Sequence, residues 1–143
     1  MFKNRMLITF LVFCLVIGTV PFALGATAPA TKVSISTLYV GASGEMPNQE
    51  YVKITNSGTT AVNLKDWKIK DKGYIHTYTF PSYNLKVKST VTLRSGKGTN
   101  SASTLYWQKN IFIWDNHDLK RHENGDTAYL YNPQGQLVSS KSG

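Results

Sequence analysis

The sequence predicts an all-β fold, an antiparallel β-sandwich of about eight short strands. Runs of β-branched and aromatic residues recur along the chain, and clusters of Gly, Asn, Pro and Ser separate them at intervals of about 8 to 12 residues. No segment shows the apolar period of a helix. This pattern is typical of an antiparallel sandwich or barrel, and we favour the sandwich.

The start of the chain differs from the rest and has the pattern of a secretory signal peptide. Lys3 and Arg5 precede an almost wholly apolar run over residues 7–20, and small residues suit cleavage before Ala26. We therefore predict a signal peptide over residues 1–25, and we expect the protein to be secreted or held at the cell envelope.

Cleavage leaves a short tether over residues 26–31 and one domain over residues 32–143. The alternative is a protein anchored by an uncleaved N-terminal helix, because residues 6–24 nearly reach the roughly 20 residues that cross a bilayer. The only cysteine, Cys14, lies in the apolar run, so the exported part has no disulfide and no thiolate metal site.

The charge balance favours anionic partners. The chain carries 16 Lys and Arg residues against 8 Asp and Glu residues, a formal charge of +8. Because only Lys3 and Arg5 fall in the leader, the exported part keeps an excess of about six positive charges.

Four strands are predicted in the first half of the domain. Residues 32–40 form the first, and a slip in their alternation indicates a bulge. Residues 51–55 alternate cleanly, as a half-buried strand does. Residues 64–70 place Trp67 on an inward face, and residues 74–80 form a tyrosine-rich strand that a proline ends.

The second half continues the pattern with shorter runs and a final hairpin. Alternating apolar and polar residues predict the first two of these strands, aromatic runs predict the next two, and an Asn-Pro-Gln-Gly turn joins the last two. The predicted strands are residues 85–88, 91–94, 105–107, 111–114, 127–131 and 136–139.

Four aromatic residues fall on inward positions of the predicted strands: Trp67, Phe80, Trp107 and Trp114. With the Val, Ile and Leu residues they give about fifteen large apolar side chains, each of which stabilises by roughly 1.5 to 3 kcal/mol when buried. We expect this core to offset the ordering entropy of one small domain without a disulfide.

Six basic residues fall on the outward positions of predicted strands. If those strands share a sheet, the residues form one basic stripe, and such a stripe attracts polyanions such as nucleic acid. The alternative is that strand-exterior lysines only keep the surface soluble and discourage edge pairing. The six residues are Lys53, Lys68, Lys70, Lys86, Lys88 and Arg94.

The sequence contains no catalytic or cofactor motif, so we expect neither an enzyme nor a cofactor. It has no Gly-x-Ser-x-Gly elbow, no Ser-x-x-Lys and no zincin motif. His76 is expected to be partly buried and hydrogen-bonded. The glycine-rich residues 94–99 lack the order of a phosphate-binding loop, and a strand rather than a helix follows them.

The most polar segment, residues 115–126, is the candidate metal site. Its two histidines, His117 and His122, are five residues apart, with Lys120 and Arg121 between them. This spacing fits neither a helical pair nor a common metal hairpin, and the two cations would repel a metal ion. We expect a solvated loop that holds no metal; a metal-assisted hydrolase built on this segment is the alternative.

Several short motifs, taken in order, resemble those of a known family. They are residues 50–56, Trp67-Lys68-Ile69, Tyr78-Thr79-Phe80-Pro81, Val91-Thr92-Leu93, Trp114, and Gly125-Asp126-Thr127-Ala128-Tyr129-Leu130. The set covers most of the domain and resembles the lamin tail domain, in its secreted prokaryotic type. The segment between Trp114 and Gly125 is longer and more charged than the usual link of that family.

The resemblance implies an immunoglobulin-like sandwich of the kind found in nuclear lamins and in secreted or envelope-associated prokaryotic proteins. It brings no catalytic residues and suggests a binding module. We therefore expect a secreted, non-catalytic module with a protein or cell-envelope partner. The alternative is an accessory module whose lysine-rich sheet face binds nucleic acid or another polyanion.

Overall fold

The computed structural model describes residues 32–41, 44–114 and 126–143. These residues form ten strands and one 3-10 turn at Pro47–Gln49. None of them lies in a helix long and apolar enough to cross a membrane. The predicted signal peptide, the tether and residues 115–125 of the polar segment lie outside the described ranges. In chain order the strands are β1 (Val33–Tyr39), β2 (Tyr51–Asn56), β3 (Val62–Asn63), β4 (Lys68–Lys70), β5 (Thr77–Thr79), β6 (Asn84–Leu85), β7 (Thr90–Arg94), β8 (Thr104–Tyr106), β9 (Thr127–Tyr131) and β10 (Leu137–Ser142).

Two four-stranded sheets form the predicted sandwich. The first sheet has the order β1-β2-β7-β8, the second has the order β10-β9-β4-β5, and β3 pairs with β6 beside them. Every pair is antiparallel except β7 and β8, which are parallel. The parallel pair of β7 and β8 is a local departure from the predicted antiparallel sandwich, and it arises because the loop over residues 95–103 returns the chain along the sheet before β8 begins.

β1 runs the length of the sandwich and contacts both sheets. Its register against β2 shifts between Ile35 and Thr37, which confirms the predicted bulge. The backbone N–H of Ile35 donates to the hydroxyl of Ser139 on β10 at 3.0 Å. The bulge thus frees a backbone donor of the first sheet to bind the edge strand of the second.

The two ends of β1 define the two poles of the sandwich. At the first pole the carbonyl of Lys32 accepts a hydrogen bond from the N–H of Ser57, 2.8 Å long. At the second pole Gly143 lies against Val40 so closely that a Cβ there would clash. The N–H of Gly143 also donates to the carbonyl of Asp126 at 3.0 Å, so the start of β9 lies at the second pole.

The predicted core is confirmed. Trp67, Phe80, Trp107 and Trp114 are all buried. Trp107 packs edge-on against Trp114, with ring centres 5.8 Å apart, and Tyr78 bridges Phe80 and Trp107. The other buried apolar residues are Val33, Ile35, Leu38, Val52, Ile54, Leu64, Ile69, Leu85, Val91, Leu93, Leu105, Ile113, Ala128 and Leu130.

Three predicted strands are shorter in the structure for one shared reason. Asp66, Tyr74 and Lys88 each have φ between 55° and 65°, a left-handed backbone that breaks a strand. As a result β4 begins at Lys68, β5 begins at Thr77, and the chain turns after β6.

The predicted strand over residues 111–114 is wrong. No strand lies between residues 107 and 114, yet Ile113 and Trp114 are buried. Their backbone N–H groups donate to the fully buried carboxylate of Glu50, at 2.8 and 3.4 Å. Residues 111–114 are apolar because part of this segment is buried. Its backbone bonds to the side chain of Glu50, where a strand would bond to a neighbouring strand.

Candidate binding surface

The six basic residues predicted to form a stripe lie in three places. Lys53 on β2 and Arg94 on β7 belong to the first sheet, and Lys68 and Lys70 on β4 belong to the second. Lys86 and Lys88 lie in the exposed turn that follows β6. Since the six do not share a sheet, the condition for a single stripe is not met, and each group has to be considered with its own neighbours.

On the first sheet the basic side chains surround a tyrosine. The ring of Tyr51 has the ammonium of Lys53 at 5.3 Å and the guanidinium of Arg94 at 5.6 Å from its centre. Tyr39 stacks on Tyr51 with ring centres 5.2 Å apart. The hydroxyl of Tyr39 donates to the carboxylate of Glu45 at 3.0 Å, and this bond raises the pKa of the hydroxyl. The cluster therefore contains its own carboxylate.

On the second sheet two lysines and three tyrosines share the outward side, and we call this set the lysine–tyrosine face: Lys68, Lys70, Tyr74, Tyr129 and Tyr131. Lys68 pairs across the strands with Tyr131, and Lys70 pairs with Tyr129. The ammonium of Lys70 lies 5.4 Å from the ring centres of both Tyr74 and Tyr131. A cation held at this distance from an aromatic ring is attracted to it.

Tyr74 lies in the loop between β4 and β5 and packs onto the sheet at this face. Its ring packs against that of Tyr129, with centres 5.5 Å apart and planes tilted by 32°. The hydroxyl of Tyr131 donates to that of Tyr74 at 3.5 Å, and this bond raises the pKa of Tyr131 to about 12. The three rings and Lys70 thus form one continuous cluster.

Two buried carboxylates hold the loop over residues 71–76, which we call the Tyr74 loop. One carboxylate oxygen of Asp71 accepts a hydrogen bond from the backbone N–H of His76 at 3.0 Å. The other oxygen lies 3.0 Å from the ring nitrogen Nδ1 of His76. The carboxylate of Asp126 accepts from the N–H of Lys72 at 3.1 Å. His76 is therefore half-buried and paired, as expected from the sequence.

The Tyr74 loop contains a strained and exposed residue. Tyr74 has φ of 56°, which costs on the order of 1 kcal/mol for a side chain of this kind, and it is 53% exposed. The N–H of Tyr74 donates to the carbonyl of Asp71 at 3.0 Å. The hydrogen bonds of the loop thus keep the ring of Tyr74 exposed at the edge of the sheet.

A comparison with protein-family models matches residues 26–142 to the lamin tail domain. The chain belongs to the lamin tail domain family. A search of curated proteins gives no match. Membership confirms the resemblance of the ordered motifs and agrees with the immunoglobulin-like sandwich, and it leaves open what this lamin tail domain binds.

The glycine-rich loop of this lamin tail domain has a packing role. A Cβ on Gly96 would lie 2.6 Å from the backbone nitrogen of Asn48, and one on Gly98 would lie 2.3 Å from the ring of Tyr106. Both glycines therefore permit close approach of neighbouring groups. Within the described ranges, no group of three or more His, Asp or Glu side chains is arranged to hold a metal ion.

The sequence pattern does not single out the tyrosines of the lysine–tyrosine face. Tyr129 and Tyr131 alternate with the buried Ala128 and Leu130 along β9, so their outward direction was readable from the sequence. What the sequence did not give was the pairing of β9 with β4, which brings them beside the lysines. Tyr74 was predicted inside a strand, and its exposure depends on the left-handed backbone of the loop.

Proposed function

We propose that this lamin tail domain is a non-catalytic binding module that acts outside the cytoplasm on a protein or another component of the cell envelope. The observation that carries the proposal is the lysine–tyrosine face, where half-exposed rings and lysines form one surface on the outward side of a sheet. Tyrosines are enriched where proteins bind partners, because each offers a rigid apolar ring and a polar hydroxyl. The lack of catalytic motifs in the sequence supports a role in binding.

Export is part of the proposal, and it rests on the leader pattern of residues 1–25. Mass spectrometry of the protein recovered from the culture medium is expected to find an N-terminus at Ala26. Recovery of intact chain from the membrane fraction alone would instead support the uncleaved anchor.

The test of binding is capture of partners by the exported full chain carrying a C-terminal tag. Envelope and culture fractions are passed over the immobilised protein, and the bound material is scored for protein, nucleic acid and polysaccharide. We expect one class to be retained by the native chain and lost when the chain is unfolded before capture. Equal retention by folded and unfolded chains would contradict the proposal, since only folded sheets bring β4 and β9 together.

The second candidate function is binding of nucleic acid or another polyanion by the basic residues. It is favoured by the excess of about six positive charges in the exported part and by the exposure of Lys68, Lys86 and Lys88. Binding to duplex DNA is then expected to weaken steeply as salt rises, with a log–log slope set by the number of phosphates neutralised. A slope near zero, or no binding at low salt, would remove this candidate.

A further inference from the structure

We infer that the lysine–tyrosine face and the Tyr74 loop bind an acidic polysaccharide whose carboxylates are attached to its sugar rings. This inference rests on the proposed function, because it names the partner of a surface already proposed to bind. It is carried by the charge of the face, by the position of Lys70 among the rings, and by the fixed exposure of Tyr74.

The charge of the face favours an anion. Within the described ranges, no carboxylate forms an ion pair with Lys68 or Lys70. The two carboxylates below the loop, Asp71 and Asp126, are 2% and 4% exposed and accept hydrogen bonds from backbone N–H groups. The tyrosine cluster of the first sheet differs, because Glu45 is bonded to it.

The position of Lys70 favours an acidic sugar over a nucleic acid strand. Its ammonium lies over the rings of Tyr74 and Tyr131, 5.4 Å from each ring centre, so one cation and two aromatic rings meet at a single place on the surface. On a uronic acid the carboxylate is bonded to the same ring whose C–H groups can stack on tyrosine. In a nucleotide the sugar separates the phosphate from the base that stacks, so charge and stacking surface are farther apart.

The geometry of Tyr74 favours a binding role for the loop. Its left-handed backbone is held by a hydrogen bond from its N–H to the carbonyl of Asp71, and the N–H of Lys72 in the same loop donates to the carboxylate of Asp126. Strained backbone that the surroundings maintain is concentrated at functional sites. Because the ring is already fixed before a ligand arrives, less ordering entropy is lost on binding.

The shape of the face fits a polymer. The face extends from the Tyr74 loop across β4 and β9, and the outward residues Thr77 and Thr79 of β5 continue it on the far side of β4. An extended chain can contact rings, lysines and hydroxyls in succession along this surface. Ile75, next to Tyr74, is 76% exposed, so insertion into a membrane surface is the rival that the experiment has to separate.

The experiment is calorimetric titration of the full chain with polygalacturonate, alginate and hyaluronan at about 150 mM salt, where long-range attraction is screened. Dextran, single-stranded DNA and vesicles containing an anionic phospholipid are titrated in parallel. We expect at least one of the three acidic polysaccharides to bind, and we expect no binding to dextran. Binding to none of the three, or tighter binding to the DNA or the vesicles, overturns the inference.

Variants test whether this surface is the one used. Lys70→Gln and Tyr74→Ala are each expected to weaken polysaccharide binding about tenfold. Lys53→Gln removes the same charge next to Tyr51 on the first sheet and is the matched control, expected to leave binding unchanged. Near-ultraviolet circular dichroism checks the fold, and if Tyr74→Ala does not fold, Lys70→Gln alone decides.

The two proposals fail separately. Equal weakening by Lys53→Gln and Lys70→Gln would overturn the assignment of this face, even if the polysaccharide binds. A chain that binds no polysaccharide but captures a protein would overturn the inference and leave the proposed function standing. A chain that captures nothing and binds nothing would overturn both.

Discussion

Asp126 is a buried carboxyl group whose pKa is changed by its surroundings. One oxygen accepts hydrogen bonds from the N–H groups of Lys72 and Thr127, and the other, Oδ2, is buried without a hydrogen-bond partner in the described part of the chain. Burial raises the pKa of its carboxyl, and the nearby Asp71 carboxylate adds to the rise. The folded protein therefore favours the protonated form of Asp126 more than the unfolded chain does.

Asp126→Asn tests this titration. A raised folded pKa gives stability that is fully present below the unfolded pKa of 3.8 and is lost as pH rises through the folded value. We expect the free energy of unfolding of the native chain, minus that of the variant, to fall as pH rises from about 3 to about 7. Urea unfolding at a series of pH values measures it. A difference that is constant or that grows with pH would contradict the assignment.

Residue chemistry explains why some of the site was predictable. The sequence predicts that His76 is hydrogen-bonded, because it falls on the aromatic side of a predicted strand; the structure places it in the Tyr74 loop, where Asp71 is its partner. The left-handed backbones of Asp66, Tyr74 and Lys88 were not predictable, because none of these positions holds the glycine that marks such a conformation. The N–H of Asp66 donates to the distant carbonyl of Phe80 and that of Tyr74 to the nearby carbonyl of Asp71, and the pattern of residue types does not show these bonds.

Glu50 holds a buried segment, residues 113–114, that does not form a strand. Its carboxylate accepts the N–H groups of Ile113 and Trp114, and its carbonyl accepts the N–H of Ser95 at 3.2 Å. The residue just before β2 thus makes two contacts: its backbone carbonyl binds the residue that follows β7, and its side chain binds the buried segment that follows β8. The sequence marked residues 111–114 as apolar but could not show that a carboxylate satisfies their backbone.

Glu50→Ala is expected to lower the free energy of unfolding by about 3 kcal/mol, because it leaves two N–H groups without their acceptor in the interior. Glu50→Gln keeps one acceptor oxygen and is the matched control, with a smaller expected loss. Urea unfolding followed by tryptophan fluorescence measures both. If Glu50→Ala and Glu50→Gln lower the free energy of unfolding equally, the lost hydrogen bonds to residues 113–114 do not cause the destabilisation.

Elements with a strong local signal were predicted well. The bulge of β1 and the β9–β10 hairpin both come from short-range pattern and turn chemistry, and both are confirmed. The order of strands within each sheet depends on contacts far apart in the chain, and local pattern does not determine it. This is why the six basic residues were identified on outward positions while their division among three places was not.

At the scale of the whole domain, the described residues form a sandwich with an apolar interior and basic groups spread over its exterior. The fold class could be predicted because alternation along each strand separates inward from outward residues, whichever strands become neighbours. Stability then depends on the interior set, and the exterior lysines affect net charge far more than folding.

Replacing Lys68, Lys70, Lys86 and Lys88 together by Gln is expected to leave the fold intact while it removes four positive charges. Substitutions on exposed positions usually change stability by less than about 0.5 kcal/mol each. Loss of the contact between Lys70 and its two rings adds up to about 1 kcal/mol. The urea midpoint measures the change, and global unfolding would show that these lysines are not on open surfaces.

The direction of β1 determines which end of the domain carries the N-terminal attachment and which end carries the Tyr74 loop. Lys32 lies at the first pole, while Asp126, and through it Lys72 and the Tyr74 loop, lies at the second. Seven residues at about 3.3 Å each separate them by roughly 20 Å. A segment attached ahead of β1 therefore joins the domain at the pole opposite the Tyr74 loop, so an attachment there leaves that loop accessible.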